Sequence, residues 1–514
     1  MKQLLLVSCL LSLSAILGLP EVKADVRMPL IFGNHMVLQQ DTRITIWGWA
    51  DAGENIEVLF AGQKVRTTAN ADGTWQVKLK PVKTKKKGET LTITGKNKLV
   101  YSDVLVGDVW VASGQSNMEW GIKVRKEYAD DIAHSEDSLL RLFFVPKNTS
   151  LQPLSEIEIP QGTASPERAA RWVLCTPEML AKINGQGFSA TAYYFARDMR
   201  VANGRPLGVI QSAWGGTRAE AWTSLSGLKQ EPALAHYVAA YEKNVKDNPE
   251  ILATYPQKQK EFDTAVREWD QTIGKEWNQA QKEWAVAVRA AQADGKPAPA
   301  KPEPRVPRPP NPRKPDGGNN GPANLFNAMI SPLIPLSIKG VIWYQGEFNS
   351  GGSAKEYATL FSRMITDWRE KWGIGDFPFV YVQLPNFEPV DQEPSVEGNG
   401  WRWVREGQLK ALSLPNTAMA VTIDVGDPFD LHPVDKYDVG HRLALVARKL
   451  AYGEKVVGMG PLYKKMSVKG NKIILEFTNQ GKKLMIGTSP YIPEGEQARP
   501  KPTKLTGFGI AGTD

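Results

Sequence analysis

One stretch of this 514-residue chain leaves few folds open. Val104-Leu105-Val106 and Val109-Trp110-Val111-Ala112 are apolar without the alternation of a half-exposed strand. Such a run reads as a strand buried on both faces, as in sheets covered by helices on either side. It stops at Ser113-Gly114, where the chain can turn sharply, and Ser116 follows between Gln115 and Asn117. Strand, tight turn and serine place a hydroxyl at the carboxyl edge of a sheet, where open α/β folds carry their sites. A helix starting near Ser116 would aim backbone N–H groups at negative charge developing there. Serine is also a common plain helix cap, so the stretch by itself supports both readings.

The pattern recurs along the chain. Residues 190–199 have helical spacing, and 207–212, 338–344, 379–384 and 418–424 read as apolar strands. Residues 357–372 and 439–452 are helical between and after them. This alternation predicts an α/β fold, a parallel sheet with helices on both faces in three layers. Ahead of it, Ile44-Thr45-Ile46-Trp47-Gly48-Trp49 and Trp75-Gln76-Val77-Lys78-Leu79 alternate between turn signals at Asp51-Ala52-Gly53 and Asn70-Ala71-Asp72-Gly73. Those short strands predict a small β-sandwich. Residues 230–294 are rich in Lys, Glu, Gln and Ala, with Trp269, Trp277 and Trp284 near heptad spacing. They predict a helical hairpin with its tryptophans on one packed face, followed by a stiff proline-rich stretch over 297–315. The α/β pattern resumes afterwards, so this segment is an insertion.

The expected division is a signal peptide over 1–24, a β-sandwich over 25–102, the α/β unit over 103–228 and 321–454, the insertion over 229–320, and a C-terminal β segment over 455–514 that ends without a clear closing element. Lys2, the apolar residues 4–19 and Val22-Lys23-Ala24 carry the signal-peptide reading. The expected destination is a bacterial periplasm or cell surface, with no membrane span once the signal is removed. Net charge is +8, concentrated at 83–87 and 296–314 without interleaved aromatics, which argues against nucleic-acid partners. The two cysteines, Cys9 and Cys175, leave no internal disulfide in the mature chain and no zinc cluster, so neither metal nor cofactor is expected.

Histidine scarcity is the useful constraint, because a serine nucleophile needs a base within reach. Of five histidines, His35 lies in the β unit, His236 starts the insertion and His134 has no motif around it. His432 sits in the loop Asp424-Val425-Gly426-Asp427-Pro428-Phe429-Asp430-Leu431-His432-Pro433, after a strand and before a helix, where a base is needed. His441, three residues after Asp438, reads as part of the helix body behind that loop. Gln211-Ser212-Ala213-Trp214-Gly215-Gly216-Thr217 ends a strand with two glycines whose N–H groups can approach a substrate. Trp343-Tyr344-Gln345-Gly346-Glu347-Phe348-Asn349 ends another with an amide and a carboxylate. There Gln345 can donate to an oxyanion, and Glu347 can orient the histidine or bind substrate. Taken singly, these are a glycine turn and a loop carboxylate. Four strand ends delivering Ser, Gly-Gly, Gln/Glu and His in order are more specific than any member.

Gly114-Gln115-Ser116-Asn117-Met118, Trp214-Gly215-Gly216-Thr217, Trp343-Tyr344-Gln345-Gly346-Glu347 and the 423–433 loop resemble the bacterial sialate O-acetylesterase family of the SGNH hydrolase superfamily. The resemblance spans nearly the whole mature chain, including Met36-Val37-Leu38-Gln39-Gln40. It implies an SGNH-like fold, Ser116 as nucleophile, His432 as general base, and Ser116 and Gly216 as backbone oxyanion donors. Gln345 stands where the superfamily usually has Asn. The superfamily acid lies three residues before the histidine, which here is Phe429, so the orienting acid is Asp430 or Glu347, or a loop carbonyl takes its place. Asn117, Trp214 and Asn349 flank these groups and are expected to touch an acetylated carbohydrate. Two other classes use some of the same features: a non-catalytic glycan-binding protein, and an arylesterase or thioesterase with a different pocket.

Overall fold

The computed structural model describes residues 25–294, 296, 299–387, 400–427, 430–479 and 481. The expected signal peptide at 1–24 lies outside them, as do Phe429 and most of the expected C-terminal segment. The chain opens with β1 (Val37–Gln39), β2 (Ile44–Trp49), β3 (Asn55–Phe60), β4 (Gln63–Thr68), β5 (Thr74–Leu79) and β6 (Lys85–Thr94). β2 pairs antiparallel with β5, and β3 pairs antiparallel with β4 and β6. Strict alternation in β3, with Ile56, Val58 and Phe60 buried and Asn55 and Leu59 exposed, gives this sheet one dry face.

β7 (Lys98–Gly114) decides how this unit meets the rest. Its first half pairs antiparallel with β6, and from residue 104 every side chain is buried. The strand therefore runs straight through the expected boundary at 102/103, with no linker. After it come α1 (Ser116–Glu119), α2 (Ala129–Ala133), β8 (Asp137–Phe144), β9 (Trp172–Cys175), α3 (Pro177–Lys182), α4 (Ala190–Asn203), β10 (Leu207–Ala213) and α5 (Leu225–Lys229). Beyond the insertion follow β11 (Gly340–Tyr344), α8 (Tyr357–Trp372), β12 (Phe379–Val382), α9 (Gly400–Lys410), β13 (Thr417–Ala420) and α10 (Lys436–Tyr452). The strands lie in the order β13-β12-β11-β7-β10-β8-β9. All neighbours are parallel except β9, which runs antiparallel to β8. The sheet is thus mixed rather than purely parallel. An antiparallel edge strand needs no crossover helix, and none stands between β8 and β9.

Register shows that both faces are covered. Trp110 pairs with Gly340 and Ser113 with Trp343, so Trp110 and Trp343 point to opposite faces. Trp110 meets Phe195 of α4 with ring centroids 5.2 Å apart, while Trp343 meets Phe361 and Trp368 of α8. β7, β10 and β11 end level, with Gly114 opposite both Ala213 and Tyr344, so their loops leave from one edge.

The insertion is a helical hairpin, α6 (Ala235–Gln271) and α7 (Ile273–Ala293), with the proline-rich stretch laid against it. Trp269 Nε1 donates to Val306 O at 2.8 Å, Trp277 Nε1 to Pro302 O at 3.4 Å, and Trp284 Nε1 to Pro299 O at 2.8 Å. Extended proline-rich backbone forms no internal hydrogen bonds, so its carbonyls are free to accept from such a ladder. Arg305–Glu276 and Arg313–Asp247 ion pairs tie the same stretch down. Trp269→Ala is expected to speed tryptic cleavage after Arg305 on the order of tenfold, because cleavage follows the population of the open form and ~1.4 kcal/mol is a factor of ten. An unchanged cleavage rate would show that the ladder does not hold the strap. Past α10, β14 (Leu462–Lys469) and β15 (Lys472–Thr478) form an antiparallel hairpin.

Candidate active site

The edge where β7, β10 and β11 end is built by close backbone approach. Gly114 has φ +138°, and a Cβ there would lie 2.1 Å from Tyr344 O, so only glycine lets the two strand ends converge. Gln115 N–H donates to Tyr344 O at 2.9 Å, and Ser116 begins the single turn of α1. Ser116 Oγ lies 2.9 Å from His432 Nε2. The chain therefore brings together two residues 316 positions apart, a separation that no local pattern encodes.

His432 is held on three sides. The Trp120 indole stacks on its ring, with centroids 4.4 Å apart and planes 17° from parallel. Its backbone N–H donates to Asp430 Oδ1 at 2.8 Å, and its Nδ1 lies 3.4 Å from the same oxygen. Burial pushes the Asp430 carboxyl up, but the His432 side chain and N–H and the nearby Arg125 outweigh it and leave the carboxyl below the usual range. An ionised Asp430 favours the tautomer with its proton on Nδ1, which leaves Nε2 free to accept from Ser116.

Glu347, the other expected acid, does not reach the imidazole. Its Oε1 accepts from Asn117 Nδ2 at 2.5 Å, and Oε2 has no partner among the described residues. The same Asn117 amide donates to Leu431 O at 2.9 Å, while its Oδ1 accepts from Lys436 Nζ. Burial raises Glu347, with Asn117 and the Lys436 charge opposing. Burial also pulls Lys436 down to about 7 against the attraction of Glu347. This buried Lys–Asn–Glu cluster clasps the carbonyl next to His432 from beneath and so positions the loop. Nothing in the sequence around Lys436, at the start of a helix, marks it as buried.

Three further expectations are corrected. Gln345 has both amide protons engaged, on Thr217 O at 3.1 Å and Asn349 Oδ1 at 2.6 Å, and is fully buried behind the cleft, so it is not an oxyanion donor. Asn349 turns inward too, accepting from Ala219 N–H and donating to Glu220, so it does not reach substrate. Asn117 is likewise fully buried in the cluster just described. These amides face inward because converging strand ends leave backbone groups that must find partners. Trp214 is half-buried beside the cleft, its N–H donating to Gly114 O.

The backbone donors are arranged differently from the side chains. Gly215 N–H donates to Glu119 Oε2 at 2.5 Å, and Glu119 is paired with Lys147. Gly216 has φ +66°, its carbonyl is held by Asn320 Nδ2 at 2.9 Å, and its N–H has no acceptor among the described residues. The Ser116 N–H, at the first turn of α1, is also without one. Both residues line a cleft of about 600 Å³ with Gln115, His432 and the aromatic rings of Trp120, Phe348, Phe387 and Trp401. A hydroxyl whose proton can pass to an imidazole, beside two free N–H groups, is equipped for acyl transfer. Of these aromatic walls the four motifs contain only Phe348, because the others come from segments far apart in sequence. A larger cavity of about 790 Å³, between β2 and β5 and the core, is lined by Trp47, Trp49 and Trp75 and holds no such pair.

Comparison with known proteins agrees with this chemistry. The family model described as carbohydrate esterase, sialic acid-specific acetylesterase, matches residues 320–448. The chain is 29% identical over 480 residues to the sialate O-acetylesterase of Mus musculus, covering 87% of this chain and 77% of that protein. It is 30% identical over 483 residues to that of Rattus norvegicus, with the same coverage. The crystal structure of a carbohydrate acetylesterase from Xanthomonas citri is 33% identical, with a TM-score of 0.65 over 89% of this chain and 82% of that one. With this identity and coverage, the chain belongs to the sialate O-acetylesterase family.

Proposed function

We propose that this protein is an exported serine esterase that removes O-acetyl groups from carbohydrates, on an SGNH-like fold carrying an N-terminal β-sandwich and a helical insertion. The observation that carries the reading is the series Ser116 Oγ, His432 Nε2, His432 Nδ1, Asp430 Oδ1 at the mouth of an aromatic-walled cleft. Ser116 Oγ attacks the acetyl carbonyl while His432 Nε2 takes its proton, and the Ser116 and Gly216 N–H groups hold the oxyanion. The C–O bond to the sugar breaks as the imidazolium returns that proton to the departing alcohol. Water, deprotonated by His432, then attacks the acetyl-serine, releasing acetate and restoring the hydroxyl. Aromatic rings at the cleft wall suit the apolar faces of sugar rings, and the names of the relatives point to acetylated sugars, sialic acid among them.

The test is acetate release from O-acetylated sialic acid, acetylated neutral oligosaccharides and p-nitrophenyl acetate. Acetylated sugars are expected to show the higher kcat/KM, because remote binding energy is put to use at the reacting centre. Sugar binding without acetate release would defeat the reading and leave a glycan-binding protein in its place.

A further inference from the structure

We propose that the Gln115 side-chain amide is the third oxyanion donor of this site, in the role that Gln345 cannot fill. The inference rests on Ser116 being the nucleophile. Gln115 immediately precedes Ser116 and lines the same cleft as Ser116, Gly215 and Gly216. Its Oε1 accepts from two backbone donors of the loop after β11, Gly346 N–H at 3.4 Å and Phe348 N–H at 3.2 Å. That pair settles which end of the amide is which, since a flipped amide would set its NH2 against two N–H groups. The two arms of an amide diverge, so pinning the carbonyl on this loop turns Nε2 away from it. Among the described residues nothing accepts from Nε2, although Gln115 is only 2% exposed, and Nε2 keeps a little open surface, unlike the fully enclosed and unpaired Glu347 Oε2 and Tyr344 Oη. A buried amide with its acceptor satisfied, and a donor left without an acceptor among the described residues at the cleft that holds the nucleophile, is preorganised for an oxygen that becomes negative.

The proton inventory is unchanged, because Gln115 donates a hydrogen bond and transfers nothing. Its contribution grows as the carbonyl oxygen gains charge, so it belongs to the rate of the chemical step rather than to substrate binding.

The experiment compares Gln115→Met and Gln115→Glu with the unaltered protein. Three quantities are read: kcat and KM on an acetyl ester, the Ki of a small alkylboronic acid that forms a tetrahedral adduct on Ser116, and the acetylation of Ser116 by mass spectrometry. Both variants are expected to lose kcat by about 10²-fold, as for the loss of one oxyanion donor, with boronate affinity falling by a like factor and KM almost unmoved. A residue that only holds the 346–348 loop would be served equally well by the carboxylate of Gln115→Glu, and its loss in Gln115→Met would move KM and the thermal midpoint as well. Wild-type kcat and boronate affinity in either folded variant would overturn the proposal. Failure of the underlying reading looks different: no acetyl adduct on Ser116 in the unaltered protein.

Discussion

Ser116→Ala is expected to fold normally and to lose kcat for acetyl esters by a factor on the order of 10⁶, the scale found when the nucleophile of a serine–histidine pair is removed. The loss is large because Ser116 Oγ is the hydroxyl 2.9 Å from His432 Nε2, and an alanine offers the imidazole nothing to deprotonate. Folding is spared for a local reason. Ser116 is the first residue of α1, and the residue before it caps that turn without any side-chain hydrogen bond. The hydroxyl is therefore not holding the turn, and alanine is a good helix former. Residual turnover of about 10³-fold over water should persist, since the Ser116 and Gly216 N–H groups remain. Acetate release and the thermal midpoint check both halves of this expectation. More than a tenth of the original kcat in Ser116→Ala would remove the residue from the nucleophile's role.

Asp430→Asn should cost about 10²- to 10³-fold in kcat with little change in KM, while Glu347→Gln should cost about tenfold or less, because the group in direct contact with the base stabilises the imidazolium of the transition state most and Glu347 acts on it only from a distance. The difference follows from their surroundings. Asp430 faces His432 Nδ1 and is half open to solvent, which tempers its effect relative to a fully buried acid. Glu347 faces Asn117, and a glutamine oxygen can accept the same bond. What Glu347→Gln removes is the buried carboxyl bridged by Asn117 to Lys436, so its main effect should be on stability, by about 1–3 kcal/mol. The Asp430 carboxyl lies below its unfolded value, so its stabilisation is present above about pH 4 and lost as pH falls through the folded value. Equal losses in the two variants, or near-normal kcat in Asp430→Asn, would overturn the assignment of the orienting acid.

Much of this architecture is legible without coordinates where spacing or steric rules speak directly. The unbroken apolar run through Val109-Trp110-Val111-Ala112 demands cover on both faces, and α4 and α8 supply it. Gly114 demands a turn, because no side chain fits against Tyr344 O. The scarcity of histidine narrows the base to one loop. The acid, the amides and the clasp beneath the loop are not legible in that way. Gln345, Glu347 and Asn349 all follow β11 within five residues, across a glycine turn and a single 3-10 turn (Glu347–Asn349) too short for a side-chain period to show in the sequence. Each turns toward whichever partner leaves fewest buried polar groups unpaired. Those partners, Thr217, Asn117 and Ala219, lie more than a hundred residues away. The sequence by itself therefore determined the strand edge, its serine and its histidine loop, through periodicity, glycine sterics and residue scarcity. Only the tertiary structure decided that Asp430 rather than Glu347 lies against the imidazole and that Gln345 points away from the cleft, because hydrogen-bond choice among converging loops is settled by long-range contact.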